Sequence, residues 1–329
     1  MTFLYIVVAL VIIFDFINGF HDSANSIATV VSTKVLSPLA AVGMASFFNF
    51  IAFLFFPTKV AATMGKGVID PDVINLTVIA SALIAAILWN LATWWFGLPS
   101  SSSHTLVGGL VGSAVASSGW SSVIMGGVIK IVVFIVIAPF LGMIMSFFIS
   151  AIVIFIVRKQ SPSGVDKHFR RLQLLSASAF SLGHGGNDAQ KSMGIIWLAL
   201  FVSGLITKND PIALWTKLAC QTAIALGTLF GGWRIVKTMG QKITKLKPFE
   251  GFCAETAGAL TLFGATHFGI PVSTTHTITG AIIGAGARKG VSAVKWGVTA
   301  NIFWAWILTI PVSGVIGFSM YYFLNWILV

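Results

Sequence analysis

Apolar stretches close to the roughly 20 residues needed to cross a bilayer recur along the whole chain, at 1 to 20, 36 to 56, 73 to 96, 121 to 157, 189 to 206, 212 to 233 and 293 to 329. The pattern predicts an all-α polytopic membrane protein with no soluble domain between the spans. Polar residues are few, and they gather in short strings inside or beside the apolar runs: NGFHDSANS at 18–26, GLPSSSSHTLVGG at 97–109, GHGGNDAQKS at 183–192 and GIPVSTTHT at 269–277. The first apolar run lacks a basic n-region and carries Asp15 and Asn18 where a cleavable signal would be apolar, so it reads as a retained helix.

Composition sharpens this picture. Of 329 residues, 57% are hydrophobic and 9% charged, whereas a soluble globule has about 25% charged residues. The net charge of +11 does not point to nucleic acid. Arg158, Lys159, Lys167, Arg170 and Arg171 share one segment, and Arg234, Lys237, Lys242, Lys245 and Lys247 another, against the single acid Asp166. The positive-inside rule makes both segments cytoplasmic and predicts a multi-pass protein of the cell membrane. Cys220 and Cys253 lie far apart in apolar context, as inert buried thiols do.

The polar strings form an internal repeat. GLPSSSSHTLVGGLVG at 97–112 and GIPVSTTHTITGAIIG at 269–284 share seven of sixteen residues, including Gly97/Gly269, Pro99/Pro271, Ser101/Ser273, His104/His276 and Thr105/Thr277. The other two strings align Gly19/Gly185, Asp22/Asp188 and Ser26/Ser192. Each half therefore carries an Asp motif followed by a hydroxyl motif. The expected organisation is a first transmembrane repeat over 1–157, a cytoplasmic basic loop over 158–171 and a second repeat over 172–329. Duplicated halves with interrupted hydrophobic segments mark secondary transporters, whose broken helices meet near the bilayer midplane. We expect two inverted repeats with re-entrant hairpins near 97–105 and 269–277.

Gly and Pro before each hydroxyl run break the helix, and an apolar helical pattern restarts at the histidine. The first turn of a restarted helix has unpaired N–H groups and a positive dipole end, which together with Ser101, Ser102, Ser103 and Thr105 would cradle an oxyanion. Ser273, Thr274, Thr275 and Thr277 would close the cradle from the other repeat. Serine and threonine in membrane helices otherwise bond to carbonyls or cap helices; a single run would be explained that way, a matched pair much less well. An ionised carboxylate at Asp22 or Asp188 costs at least about 2.5 kcal/mol inside a membrane and faces a polar interior. It repels a bare anion, so it selects a coupling cation, a proton, or an anion that keeps a donor, as hydrogen phosphate does and sulfate does not. Asn25, Asn187 and Gln190 add neutral polar groups and Lys191 a positive charge, with an Asp–Lys pair as the plain structural alternative. Asp15, two turns before Asp22, is a proton relay or a solvated terminus. Glu255 is a coupling group or a helix-end acid. Of the histidines, His21, His104 and His276 support the site, His267 packs, and no fixed zinc spacing occurs; a transient divalent cation would use His21, Asp22 and Asp188.

With these residues in hand the chain resembles the inorganic phosphate transporter family, PiT, in its bacterial low-affinity permease form, through NGFHDSANSIATVVST, ILWNLATWWFGLPSSSSHTLVGG, LGHGGNDAQKSMG and GIPVSTTHT. The resemblance implies an inverted-repeat fold and phosphate import coupled to protons or sodium, with magnesium or another divalent cation accompanying phosphate in some members as a neutral complex, and no resident cofactor. It maps Asp22, Asn25, Asp188 and Gln190 onto the Asp motifs and Ser101 to Thr105 and Ser273 to Thr277 onto the hairpins. A homodimer in the lipid bilayer is a further expectation. The alternatives are a sulfate or other oxyanion permease and a passive anion channel; a Ser-His hydrolase lacks its G-x-S-x-G elbow.

Overall fold

A computed structural model describes residues 1–328, and among them the regular structure is helical. The helices are α1 (Thr2–Ser32), α2 (Pro38–Ile51), α3 (Lys59–Lys66), α4 (Leu76–Phe96), α5 (Ser102–Ser118), α6 (Met125–Val157), α7 (Pro162–Val202), α8 (Leu214–Phe230), α9 (Trp233–Lys237), α10 (Pro248–His267), α11 (Thr274–Ala287) and α12 (Trp296–Leu328). Helices α1 to α6 and α7 to α12 repeat one plan: a long helix bearing the Asp motif, a second crossing, a short helix, a helical hairpin and a long closing helix. By length and apolarity alone α1, α4, α6 and α12 qualify as spans, and α2 with α3 passes the same test only as a pair bent by 82°, a broken span or a re-entrant segment. Polar motif residues and a basic first part dilute α7, and α8 has only 17 residues. These two are set in place by packing, α8 against α1 and α2, α7 against α10, α3, α1 and α2.

Local chemistry starts and stops these helices where the break residues stand. Ser37, Asn75, Ser101, Ser161 and Ser273 each accept an N–H of the first turn of the following helix, and Pro38 and Pro162 occupy first positions where no N–H is needed. Each hairpin turns on a glycine in the left-handed region, Gly97 at φ 65° after α4 and Gly269 at φ 66° after α10, followed by Pro99 or Pro271, which cannot continue the helix.

The repeats are inverted. Arg170 donates to the Lys34 carbonyl at 2.9 Å, Lys289 pairs with Glu250 at 2.8 Å, and the Lys295 N–H donates to Ile243, so 33–37, 158–161, 243–250 and 288–295 share one basic end. Lys208 pairs with Asp72 at 2.5 Å, the Asp70 N–H donates to Ser122 and the Ile124 N–H to Val68, so 66–75, 119–124 and 203–213 share the opposite, sparsely charged end. The α4–α5 hairpin therefore opens toward the sparse end and α10–α11 toward the basic end. The basic segment is less of a loop than expected: α7 begins at Pro162, so 162–171 is helical and only 158–161 connects. Ser161 and Pro162 supply the start signal, and the charged side chains need only a solvated helix face.

The closing helices are exchanged between repeats. Helix α12 packs on α4 and α5, and α6 packs on α10 and α11. Glycines make the contact close: a Cβ at Gly108 would lie 2.6 Å from the Ile310 carbonyl oxygen, and one at Gly280 would lie 2.0 Å from that of Pro139. Gly280→Val is expected to destabilise the protein by about 1–3 kcal/mol or prevent insertion, read as a fall in the thermal unfolding midpoint in detergent, whereas Gly43→Ala, with open space around its Cβ, should leave that midpoint unchanged.

Two apolar layers flank the centre. Leu4, Val7, Val11, Phe14, Leu83, Leu106 and Ile195 belong to one cluster, and Ile27, Val30, Phe180, Ile278 and Ile282 to the other. On α1 the motif 18–26 falls between the residues contributed to the two. The outer faces of α6 and α12 expose Ile129, Val136, Phe140, Phe148, Trp304, Ile307, Val315 and Phe318, an apolar belt suited to lipid.

Candidate functional site

Between the two apolar layers lies a buried polar one, built from the middles of α1 and α7 and the helix starts of α5 and α11. The Asp-motif helices run unbroken through their motifs, whereas each hydroxyl run lies at a hairpin break. Asp22 accepts from Ser102 at 3.1 Å on Oδ2 and from Thr275 at 3.5 Å on Oδ1, while His21 Nδ1 sits 2.7 Å from Oδ1. The other ring nitrogen of His21 lies 3.1 Å from Thr93, which accepts from Ser100 at 2.8 Å. In the second repeat Asp188 accepts from Thr274 at 2.9 Å and from the Lys191 ammonium at 2.5 Å, and His184 Nε2 stands 3.3 Å away. Lys191 also donates to Ser103 and to the Val272 carbonyl. Asn25 donates to Thr275 at 3.0 Å and Thr274 at 3.3 Å, leaving its Oδ1 without a partner. Each Asp motif thus grips hydroxyls of both hairpins, and the α5 and α11 dipole ends converge on the carboxylates. All these side chains are buried.

The remaining expected residues divide into those that shape the cradle and those placed elsewhere. Ser101 and Ser273 cap their helices through the N–H groups of His104 and His276. Thr105 donates to Ser102 and lies 3.1 Å from Asn90 Oδ1, and Thr277 donates to the Ser273 carbonyl. His104 and His276 meet with ring centroids 4.7 Å apart, joining the hairpins directly, and His276 stacks on Trp306. Asn187 ties α7 to the second hairpin through Thr266 and the Ile270 carbonyl.

Gln190 is not aimed at the centre. Its Oε1 accepts from the Val60 and Ala61 N–H groups and its amide donates to Gly186, so it serves the start of α3. Asn25 is matched instead by Lys191, since each lies three residues after its aspartate. Glu255 also stands apart from the carboxylates, accepting from Gln173 at 2.9 Å and Ser176 at 2.5 Å toward the basic end. Asp15 is no solvated terminus: it is fully buried. Ligand atoms of Asp22, His184 and Asp188 lie within 4.8 Å of one another, so His184 is the histidine grouped with both carboxylates, while His21 bridges Asp22 and Thr93 through its two ring nitrogens. A cation fits this trio chemically, two carboxylates and an imidazole, with Lys191 already neutralising one carboxylate.

Asn49 and Thr93 escaped the sequence reading, whereas His184 and Ser100 stand inside the polar strings without an assigned role. His184 is held by Asn49 at 3.0 Å, which in turn donates to Thr228 at 2.9 Å. A strict overlay of the Asp motifs pairs Asn18 with His184 and His21 with Asn187, so each aspartate has one histidine before it, one residue away in the first motif and four in the second. That swap was the available signal.

An inverted repeat with two hairpin tips and two buried carboxylates meeting in one central polar layer is the architecture of a membrane transporter. The chain belongs to the Phosphate transporter family, whose family model matches residues 18–317. A probable low-affinity inorganic phosphate transporter of Rhizobium meliloti is 56% identical over 96% of this chain and 94% of that one, and one of Bacillus subtilis is 44% identical over 99% and 98%. A solved structure described as the sodium-dependent phosphate transporter matches with a TM-score of 0.89 at 28% identity, over 99% of this chain and 100% of that one.

Proposed function

We propose that the protein imports inorganic phosphate across the cell membrane by alternating access, in symport with protons or sodium. The observation that carries this reading is the meeting of both hairpin helix starts and both motif aspartates in one buried layer between two apolar ones. Ser102, Ser103, Thr274 and Thr275 carry rotatable hydroxyls that turn from their present partners onto phosphate oxygens, joined by N–H groups of the α5 and α11 first turns. Hydrogen phosphate keeps an O–H that Asp22 or Asp188 can accept; sulfate offers none, so the carboxylates favour phosphate.

Charge balance argues for coupling. With neutral histidines, Asp22, Asp188 and Lys191 sum to one negative charge. Adding a phosphate dianion to a site of that sign in low dielectric is costly unless cations enter with it. Asp22, Asp188 and His184 are the groups that would hold one. The same trio supports a second reading, in which phosphate enters as a neutral complex with magnesium or another divalent cation and leaves the layer's charge unchanged. The cycle follows from the two apolar layers: opening one while the other stays sealed exposes the site to one side at a time, with the basic end facing the cytoplasm. The His104–His276 contact is a point where the halves would rock.

Labelled-phosphate uptake into proteoliposomes, with sodium and proton gradients imposed separately, tests this. Accumulation above equilibrium is expected with one gradient, undiminished by excess sulfate. Strict dependence on magnesium would favour the complex, and mere equilibration without any gradient would indicate a channel.

A further inference from the structure

Toward the sparse end, one turn from the central layer, a second group of polar side chains is sealed in the protein without partners. Asp15 on α1 is fully buried, and neither carboxylate oxygen has a hydrogen-bond partner. Asn18 Oδ1 and Ser192 Oγ, both buried, are likewise unpartnered. The Asn18 and Ser192 side chains and the Cys220 thiol of α8 each lie beside the Asp15 carboxyl. The other charge within reach is Asp188 on α7; α2 and α4, which also pack on α1, carry no titratable side chain.

An ionised carboxylate in this setting has only neutral hydrogen-bonding neighbours and no hydrogen bond of good geometry in place, which the interior does not tolerate. A protonated carboxyl resolves the accounting: its O–H donates to Asn18 Oδ1, and its remaining oxygen accepts from the Ser192 hydroxyl, so three unmet groups are met by one proton. Sodium fits less well. Three residues supply four oxygens beside a thiol, a poor shell for a hard cation that prefers oxygen. We propose that Asp15, Asn18 and Ser192 form a proton-binding site separate from the central layer, loaded from the sparse end. Asn18 lies one turn before Asp22 and Ser192 one turn after Asp188, so the site adjoins both carboxylates on the path from that end. Charged, Asp15 repels an anion arriving by that path; protonated, it admits one. The inference rests on the symport reading above and selects the proton as one coupling ion.

The test compares parent, Asp15→Asn and Asp15→Glu proteins in proteoliposomes. Asn keeps the shape and hydrogen-bonding capacity but cannot release a proton. For one proton per phosphate, a one-unit pH gradient drives about tenfold accumulation. Asp15→Asn is expected to lose that accumulation while retaining phosphate–phosphate exchange, which needs no net proton release, and Asp15→Glu is expected to keep both. Accumulation by Asp15→Asn with parental dependence on external pH overturns the proposal. So does loss of exchange along with accumulation, which makes Asp15 structural, and so does a sodium dependence that disappears in Asp15→Asn. Infrared spectroscopy of the reconstituted protein supplies a readout independent of transport: the carbonyl stretch of a protonated buried carboxyl, present in the parent and missing in Asp15→Asn. If the parent fails to accumulate phosphate under any gradient yet shows this band, the symport reading falls and the proton site stands; absence of the band in the parent removes the site itself.

Discussion

Asp188→Asn is expected to lose phosphate accumulation and, in addition, to be destabilised by about 3–5 kcal/mol, the cost of leaving one partner of a buried ion pair uncompensated. Lys191 is the reason. Its ammonium is buried against Asp188 at 2.5 Å, with Ser103 and the Val272 carbonyl as its other partners, and neither of those carries charge. Removing the ammonium as well, in Asp188→Asn with Lys191→Met, should return most of the stability and none of the transport, because the layer then lacks both a cation-holding carboxylate and the lysine that positions Ser103. Thermal unfolding in detergent and uptake by reconstituted protein separate the two effects. A single variant as stable as the parent would show that the pair contributes nothing net, and a double variant that accumulates phosphate would remove Asp188 from the site.

Asp22→Asn should be the cleaner loss. Asp22 has no lysine beside it; its partners are His21, Ser102 and Thr275. An amide at this position still accepts from one hydroxyl, so the change in stability should stay near the roughly 1–3 kcal/mol of a disturbed buried hydrogen bond, and the protein should insert and purify normally. Accumulation should nevertheless fall to background, because one of the two carboxylates that balance the coupling cation has gone. Normal uptake by Asp22→Asn or by Asp188→Asn would sink the assignment of these residues to coupling. The two substitutions thus look alike in uptake and unlike in stability, a difference that follows from Asn25 standing in one repeat where Lys191 stands in the other.

Much of this was legible from spacing and local chemistry. The apolar runs, the Gly–Pro breaks and the N-capping serines are local properties, and each hairpin turned where Gly97 or Gly269 can take a positive φ. The repeat, read as paired motifs, predicts that Asp22, Asp188 and the two hydroxyl runs meet, and they do share one buried layer, because a polar string in an apolar chain has few places to go but a shared interior. The basic segments, which the sequence alone marks, gather at one end of the helices in the structure.

Packing decided the rest. Along α7 every residue from Gly183 to Ala199 is buried, so no apolar face betrays which side chains point to the centre and which to a neighbouring helix. That is why Gln190, one position from Lys191, turned out to serve the start of α3, and why His184 joins the two carboxylates while His21 stays beside Asp22 alone. Glu255 differed for a related reason: α10 places it facing Gln173 and Ser176, a partner choice no spacing within α10 encodes. Asp15 could be read from sequence as solvated or buried with equal ease; α7 and α8 closing over it decided that it is sealed. The exchange of α6 and α12 between repeats likewise depends on backbones meeting at Gly108 and Gly280. A sequence records which residues are polar, apolar, stiff or permissive at each position; which of them meet is fixed only when the helices are packed all round and each buried polar atom must find a partner in three dimensions.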